Sequence, residues 1–165
     1  MTEPVAYDDA VDLLDADHKA VKKMFIDYGA LCEDDAPADS KQALALRICQ
    51  ALTVHALIEE EIFYPQVRKA INDDALMDGA LLEHTDAKAL IARIESMKPN
   101  GAGYDAKVQQ LGKLIDEHVL QEREEIFLKA RSSTLDLRSL TLQLLKRRQQ
   151  LKNKAAAKPT KEATT

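Results

Sequence analysis

The sequence predicts an all-α fold, an up-down four-helix bundle with an additional C-terminal helix. Apolar residues recur at steps of three and four along four stretches of chain, which is the pattern of helices with one buried face. Ala, Leu, Glu, Lys and Gln are abundant while aromatic residues make up only 4% of the chain, which favours helix over strand. Turn signals separate these stretches at residues 32–40, 70–74 and 98–103.

Each of the four stretches carries its own apolar stripe, and every stripe includes one histidine. The stripes are Val11, Leu14, His18, Val21, Phe25 and Tyr28 in the first stretch; Leu44, Ile48, Leu52, His55, Glu59 and Ile62 in the second; Leu81, His84, Ile91 and Ile94 in the third; and Val108, Leu111, Ile115, His118 and Glu122 in the fourth. Short connections favour antiparallel neighbours, so the stripes are expected to face one shared core. Tyr28 and Tyr64 could line the approach to a site in the bundle, but they are interpreted as core aromatic side chains.

The chain is expected to divide into three parts: a bundle over residues 1–131, an accessory helix over 132–154 and a disordered basic tail over 155–165. Leucines at helical spacing from Leu137 to Leu151 predict the accessory helix. These leucines could cap the same bundle or join two chains as a homodimer, and the spacing does not choose between the two. The tail has too few apolar residues to fold alone.

Composition and charge narrow the class of protein. The net charge of the 165 residues is −5, with nine basic and two acidic residues from Arg131 onward. An acidic body argues against nucleic acid as the main partner. The sequence has neither a basic start followed by an apolar run nor a long uncharged apolar stretch, so we expect a cytoplasmic protein with no membrane span. Cys32 and Cys49 are expected to stay reduced.

The four histidines are predicted to meet inside the bundle. Antiparallel helices bring two residues level when both lie equally far from the turn that joins the helices. His18 and His55 lie roughly 21 and 24 Å from the first turn, and His84 and His118 roughly 20 and 22 Å from the third, at 1.5 Å per residue. One histidine on an apolar face is usually an ordinary core residue. Four at one depth, on four helices, indicate a metal site.

Two glutamates are predicted to join the histidines. Glu59 follows His55 by four residues and Glu122 follows His118 by four, so each shares the helix face of its histidine. Carboxylates inside a core need a compensating cation. The alternative is that both glutamates belong to solvated acidic faces. Four imidazoles and two carboxylates exceed what one tetrahedral zinc needs, which favours two cations: iron first, with manganese or zinc as alternatives.

Four motifs surround these residues: DADHKAVKKMF around His18, HALIEEEIFYP from His55, LLEHTDAKALI around His84 and HVLQEREEIF from His118. Over residues 8 to about 130, they resemble the hemerythrin-like proteins, also called HHE cation-binding domains, in the family's order. The resemblance implies a non-haem di-iron centre (Fe2+/Fe3+), for which an oxo or hydroxo bridge is an option. It further implies that His18 and His55 bind one iron, that His84 and His118 bind the other, and that Glu59 and Glu122 bridge them.

The chain departs from the oxygen-carrying members of that family at two positions. Their third helix has a second histidine where this chain has Lys88, and their last acid lies where it has Arg123. Both departures resemble the bacterial HHE branch and weigh against reversible oxygen carriage. Lys88 is expected to extend to the end of the bundle with its ammonium group in water, the alternative being a functional ammonium group in the pocket. Glu60 or Glu61 is a candidate for a vacant metal position.

Two functions fit a centre of this kind. The first is a di-iron protein that binds, senses or scavenges oxygen, nitric oxide, peroxide or iron, with a small diatomic molecule or peroxide as the ligand at the metals. The second is a di-iron enzyme with peroxidase or catalase-like, nitric oxide-reducing or iron-sulfur repair activity. A metal-free helical interaction module is a third reading. We favour the first.

Overall fold

The computed structural model of the protein describes residues 7–101 and 103–157, which are helical apart from the connecting turns. The prediction of an all-α fold is confirmed. Seven α-helices follow one another in this part of the chain: α1 (Ala10–Glu33), α2 (Ala38–Ile58), α3 (Tyr64–Ile71), α4 (Asp74–Ser96), α5 (Tyr104–Gln121), α6 (Leu128–Ser132) and α7 (Leu137–Ala157). A π-helical segment, Glu59–Phe63, joins α2 to α3 without a break, and a second, Glu122–Phe127, joins α5 to α6.

Four helical rods therefore make the bundle: α1, α2 with α3, α4, and α5 with α6. The rods pack in a ring, because α1 contacts α2 and α5 while α4 contacts the same two helices. The breaks between rods coincide with the three predicted turns to within one residue. At the second break Asn72 adopts a left-handed conformation (φ 52°), and the Asp73 side chain then caps α4 by accepting from the Leu76 backbone N–H.

The apolar core consists of two clusters with the histidines between them. One cluster contains Leu14, Phe63 and Phe127 together with residues of α7. The other contains Tyr28 and Leu111 and fills the opposite end of the bundle. The histidines therefore lie inside the bundle at one depth, as the sequence predicted.

The two π-helical segments shift the buried stripe by one residue, which the 3.6-residue periodicity did not predict. After Glu59 the expected inward residue Ile62 is only partly buried, whereas Phe63 is fully buried and Tyr64 nearly so. The Tyr64 backbone N–H donates to the Glu59 carbonyl five residues earlier, as a π-helix requires. Within these segments, residues five apart in sequence therefore lie one turn apart on the same face of the helix.

Helix α7 packs its leucines against its own bundle. Leu137, Leu140 and Leu144 are buried in the same cluster as α1 and α3. Of the two alternatives, the structure thus shows the leucines capping the same bundle, and a homodimer through α7 would have to use another face. The helix begins at Leu137, later than the predicted 132, because Asp136 accepts the Ser139 backbone N–H and starts it there.

The C-terminal end of α7 also differs from the prediction. The helix continues to Ala157, so residues 155–157 are helical, whereas the sequence predicted that they would belong to a disordered tail. Residues 158–165 of that predicted tail lie outside the described residues. The division of the chain at residues 131 and 154 stays a prediction.

Both cysteines are free thiols, as expected. Burial, with a smaller contribution from Glu95, raises the pKa of the Cys49 thiol to about 12, so this group stays protonated and unreactive. Among the helices of the described ranges, none combines the length and the apolar character that a membrane crossing requires.

A partly buried polar contact closes the end of the bundle opposite α7. The Tyr28 hydroxyl donates to Asp105 at 2.7 Å, and Lys41 Nζ donates to the other carboxylate oxygen at 3.0 Å. The hydrogen bond from Tyr28, followed by Lys41, holds the pKa of Asp105 below its ordinary 3.8. The contact ties α1 and α2 to the start of α5.

Asp105→Asn is expected to lower the melting temperature at neutral pH, because the folded state loses a carboxylate that two donors stabilise. A lowered folded pKa contributes stability above pH 3.8, and that contribution is lost as the pH falls through the folded value. The difference between the two proteins should therefore vanish in strong acid. Thermal unfolding followed by circular dichroism over a range of pH measures it.

Asp86→Asn is the matched control, since Asp86 is exposed on α4. We expect this substitution to leave the melting temperature nearly unchanged at every pH. An effect of Asp105→Asn that is equally large in strong acid would show that the charge of Asp105 is not its source.

Candidate metal centre

The six predicted site residues lie together at the centre of the bundle. His18, on α1, has 9% of its surface exposed, and the other three histidines have 6–8% exposed. Glu59 and Glu122, each at the start of a π-helical segment, are fully buried. Four rods therefore supply one imidazole each, and two of them add a carboxylate.

The histidines form two pairs that meet through their Nε2 atoms. Nε2 of His18 lies 3.2 Å from Nε2 of His55, and Nε2 of His84 lies 3.3 Å from Nε2 of His118. Each pair joins two rods that are consecutive along the chain, as the depth argument predicted. The pairing of levels thus agrees with the sequence analysis.

The two glutamates lie between the histidine pairs. Glu122 contacts one histidine of each pair, with Oε1 3.0 Å from His18 Nε2 and Oε2 3.7 Å from His118 Nε2. Glu59 uses a single oxygen, because its Oε1 lies 3.2 Å from Nε2 of both His55 and His84. Each carboxylate therefore spans both halves of the cluster, which is the position of a bridging ligand.

Two ligand sets result, and they share both carboxylates. Within each set one ligand atom per residue lies within 4.8 Å of every other, so each set could hold one cation. The first set is His18, His55, Glu59 and Glu122, and the second is Glu59, His84, His118 and Glu122.

The outer nitrogens of three histidines face carboxylates that the sequence analysis did not identify. These contacts are His55 Nδ1 to Asp17 at 2.9 Å, His84 Nδ1 to Glu60 at 2.7 Å and His118 Nδ1 to Glu83 at 2.9 Å. An Nδ1 atom beside a carboxylate carries the proton and donates it, which leaves the Nε2 lone pair directed at the centre. The fourth ring, His18, has the Asp15 carboxylate 3.6 Å from its Nδ1.

The supporting carboxylates are sequence neighbours of the site residues. Asp17 precedes His18, Glu83 precedes His84, and Glu60 follows Glu59. Adjacent helical residues point about 100° apart, so when a site residue faces the centre its neighbour faces the next rod. Each therefore supports the histidine of the following rod. An acid directly beside a site residue was the sequence signal that could have revealed them.

Tyr64 takes part in the cluster, although the sequence analysis interpreted it as an ordinary core residue. It is buried as expected, but its hydroxyl lies 3.3 Å from Glu59 Oε1 and 3.2 Å from His84 Nε2, and it also donates to Glu122. The π-helical segment places this residue one turn from Glu59. The sequence did not predict this segment, so the core interpretation was preferred and Tyr64 was not assigned to the cluster.

Lys88, Glu60 and Glu61 all lie outside the two ligand sets. The Lys88 side chain is about half exposed, as expected for an ammonium group in water, and its Nζ also donates to Glu60 Oε1 at 2.6 Å. Glu60 contacts the outer nitrogen of His84 and does not fill a metal position. Glu61 forms an ion pair with Arg147 on α7. The carboxylates at positions 60 and 61 thus support the cluster from outside it.

The electrostatics of the cluster favour positive charge at its centre. Burial alone would lower the pKa of His55, but the Glu59 and Asp17 carboxylates outweigh burial and hold that pKa well above its usual value. Burial would raise the pKa of Glu59, yet His55 and His84 hold it well below the usual range. Burial, then Glu122 and Glu59, raise the pKa of Tyr64, so its phenol stays protonated.

These residues fit a pair of cations. With the protons of His55, His84 and His118 on Nδ1, lone pairs face each other across the second histidine pair at 3.3 Å, an arrangement that a cation between them would stabilise. Glu59 Oε2 is buried and has no hydrogen-bond partner within the described ranges. Buried carboxylates and unpaired imidazole nitrogens are the usual donors to iron, manganese and zinc.

Comparison with known proteins agrees with this geometry. The family model described as the hemerythrin HHE cation binding domain matches residues 9–130. The chain belongs to this family. The matched range holds all six cluster residues, and family membership together with the His/Glu cluster supports metal binding by this HHE domain.

Two known proteins are similar to this HHE domain. The crystal structure of a hemerythrin HHE cation binding domain-containing protein from Mycobacterium kansasii has a TM-score of 0.76 with 17% sequence identity and covers 91% of each chain, which shows a shared fold. A DNA nickase from Nostoc sp. is 27% identical over 122 residues, or 74% of this chain and 33% of the nickase. This chain therefore spans about a third of the length of that curated relative.

Glu60→Ala is expected to weaken metal binding by the HHE domain roughly 10- to 100-fold, the usual cost of losing a carboxylate that orients a histidine ligand. The substitution leaves His84 Nδ1 without its acceptor. Anaerobic titration with Fe2+ or Co2+ measures the affinity.

Glu124→Ala provides the control, since this carboxylate is exposed on the second π-helical segment. We expect its affinity to equal that of the unchanged protein. Equal affinity in Glu60→Ala would mean that the orientation of His84 does not depend on Glu60.

Proposed function

We propose that this HHE domain holds two iron ions and uses them to bind, sense or scavenge oxygen, nitric oxide, peroxide or iron. The observation that carries the proposal is that two four-residue ligand sets share Glu59 and Glu122. Shared carboxylates place two cations side by side instead of in separate sites. His18 and His55 would hold one ion, and His84 and His118 the other.

The composition of each ligand set favours iron. Two imidazoles and two shared carboxylates are the nitrogen and oxygen donors that suit iron, and because iron takes more than four ligands they leave coordination positions open on it. Iron bound there would supply redox and ligand-binding chemistry toward diatomic molecules and peroxide. Manganese and zinc are the alternative metals, and metal analysis of the purified protein distinguishes them from iron.

A small cavity over the histidines supports a small ligand. It measures about 40 Å³ and is bounded by the four histidines and by apolar side chains that include Leu52, Ala87 and Ile91. A water molecule needs roughly 10–15 Å³ of such space. The cavity therefore has room for a diatomic molecule or peroxide and is small for an organic substrate. Its lining is mostly apolar, with Thr53 and Lys88 as polar members beside the histidines.

An enzymatic role is the second candidate, and Tyr64 is the observation in its favour. Its hydroxyl is a buried proton donor in contact with Glu59, Glu122 and His84. A donor in this position could protonate a reduced oxygen or nitrogen species. In that case the protein would be a di-iron peroxidase, catalase-like enzyme or nitric oxide reductase.

The deciding experiment is metal analysis and an optical spectrum of the protein purified aerobically, repeated after addition of nitric oxide. The proposal expects two iron ions per chain and a spectrum that nitric oxide changes. Stoichiometric oxidation by peroxide supports binding or sensing, and sustained turnover supports the enzyme. An iron content near zero after reconstitution with ferrous salt, with no change in melting temperature on chelation, would contradict both and favour a metal-free module.

His55→Ala and His84→Ala are each expected to reduce the bound iron by about one ion per chain, because each removes one imidazole from a different ligand set. Metal analysis after reconstitution gives the stoichiometry. The rise in melting temperature on metal loading should shrink accordingly.

Gln50→Ala, at an exposed position of α2, serves as the control and should retain full iron. Two iron ions in both histidine variants would remove these residues from the ligand sets.

Ala87→Val is expected to slow nitric oxide binding severalfold at unchanged iron content. Ala87 lies one turn after His84 and lines the small cavity, so two added methyl groups occupy the space that the ligand needs. Stopped-flow absorption measures the rate.

The control is Ala89→Val, which adds the same groups at an exposed position of α4. Equal rates in the two variants would place the route of the ligand elsewhere.

A further inference from the structure

The C-terminal helix α7 reaches the candidate metal centre with two consecutive arginines. Its first turns pack through leucines, of which Leu144 is fully buried. One turn later the contacts become ionic, because Arg147 binds Glu61 through two nitrogens at 2.7 and 3.1 Å and Arg148 binds Asp17 at 2.5 Å. Both acids are close in sequence to residues of the cluster.

Asp17 connects α7 to the cluster with its two oxygens. Oδ1 accepts from Arg148, and Oδ2 lies 2.9 Å from Nδ1 of His55. The side chains of Arg148 and Asp17 are 15% and 18% exposed, so this ion pair is poorly screened by solvent. In contrast, Arg147 and Glu61 are each 37% exposed, and their pair is expected to contribute little.

We propose that Arg148 is a positioning residue for His55 and that docking of α7 and cation binding stabilise each other through the sequence Arg148, Asp17, His55. This inference rests on the proposed function, since His55 must be a metal ligand. The guanidinium fixes the Asp17 carboxylate, and the fixed carboxylate holds the His55 ring with Nε2 directed at the centre. Coupling of two binding events is necessarily reciprocal.

The other supporting carboxylates show why α7 has a special place. Glu60 is held by Lys88 of α4, and Asp15 lies 3.2 Å from Arg123 of the second π-helical segment. Both of these cations come from within the bundle. His55 is the histidine whose supporting acid is held from α7, so the position of α7 bears on one of the two ligand sets and not directly on the other.

The contact between α7 and the bundle is also incomplete around Arg148. A surface cavity of about 520 Å³ opens there between α1, α2 and α7, and Asp17, His55, Arg148 and Lys152 are among its lining residues. Loss of the Arg148 contact would open the outer side of His55 to this solvent-filled space. Beyond its buried leucines, α7 is held here by the ion pairs of Arg147 and Arg148, so this part of the helix can loosen locally, and the state of the centre thereby becomes visible at the surface.

Titration with Co2+ under anaerobic conditions tests the affinity half of the coupling, since the visible absorption of Co2+ reports its ligand geometry. Arg148→Ala is expected to weaken one of two Co2+ equivalents roughly 10-fold and to change about half of the absorption. Arg148→Lys should restore part of both. Lys146→Ala, an exposed position on the same helix, should behave as the unchanged protein.

Hydrogen exchange tests the reciprocal half on the unchanged protein. Co2+ loading should slow exchange of the α7 amides, and Arg148→Ala should remove that effect. A purely structural role would lower the melting temperature of the metal-free protein and leave both Co2+ affinities and the absorption unchanged, which would overturn the inference. If Co2+ does not change the exchange of the α7 amides in the unchanged protein, the inference is overturned, even if Arg148→Ala does not fold.

The two proposals fail in different ways. If the unchanged protein binds no Co2+ or Fe2+, the metal assignment falls and the coupling falls with it. If it binds two ions and Arg148→Ala matches Lys146→Ala, only the coupling is wrong.

Discussion

Two carboxylates enclosed at the centre of a helical bundle are the constraint on which the rest of this structure depends. Glu59 and Glu122 have no exposed surface, and a charge in such a place requires nearby positive charge. The histidines around the two acids are placed to meet that requirement, because Glu59 and Asp17 favour the protonated form of His55 and because the Nε2 atoms could hold cations. The four histidines lie at the depth of the two acids, and α2 and α5 each pass into a π-helical segment at the acid. All of these features bring side chains into the same cluster.

The second layer of residues makes the cluster a property of the whole bundle. An acid on α1 supports the histidine of α2, an acid after α2 supports that of α4, and an acid on α4 supports that of α5. No rod holds its own imidazole in these three contacts. Correct orientation of the rings therefore requires that neighbouring rods have already assembled, so the geometry is a consequence of tertiary packing and not of any single helix.

The sequence predicted the fold and the six central residues because both depend on spacing along single helices. A step of four places a glutamate above its histidine, and equal distances from a turn place two histidines level. The supporting acids and Tyr64 were missed because their roles depend on how each rod is rotated and on the π turns, which add one residue to a helical turn. The contacts of Arg147 and Arg148 depend on the path of the chain after Ser132, and leucine spacing does not specify that path.

The division of the apolar core into two clusters affects how the bundle holds together. A layer of six ionisable side chains separates the two apolar clusters. The two halves of the bundle therefore share few direct apolar contacts across this layer. Ions bound in this layer would link the two halves, whereas without them the rods are joined there by contacts between histidines and carboxylates. Metal occupancy is then expected to decide whether the two ends melt as one unit or in succession.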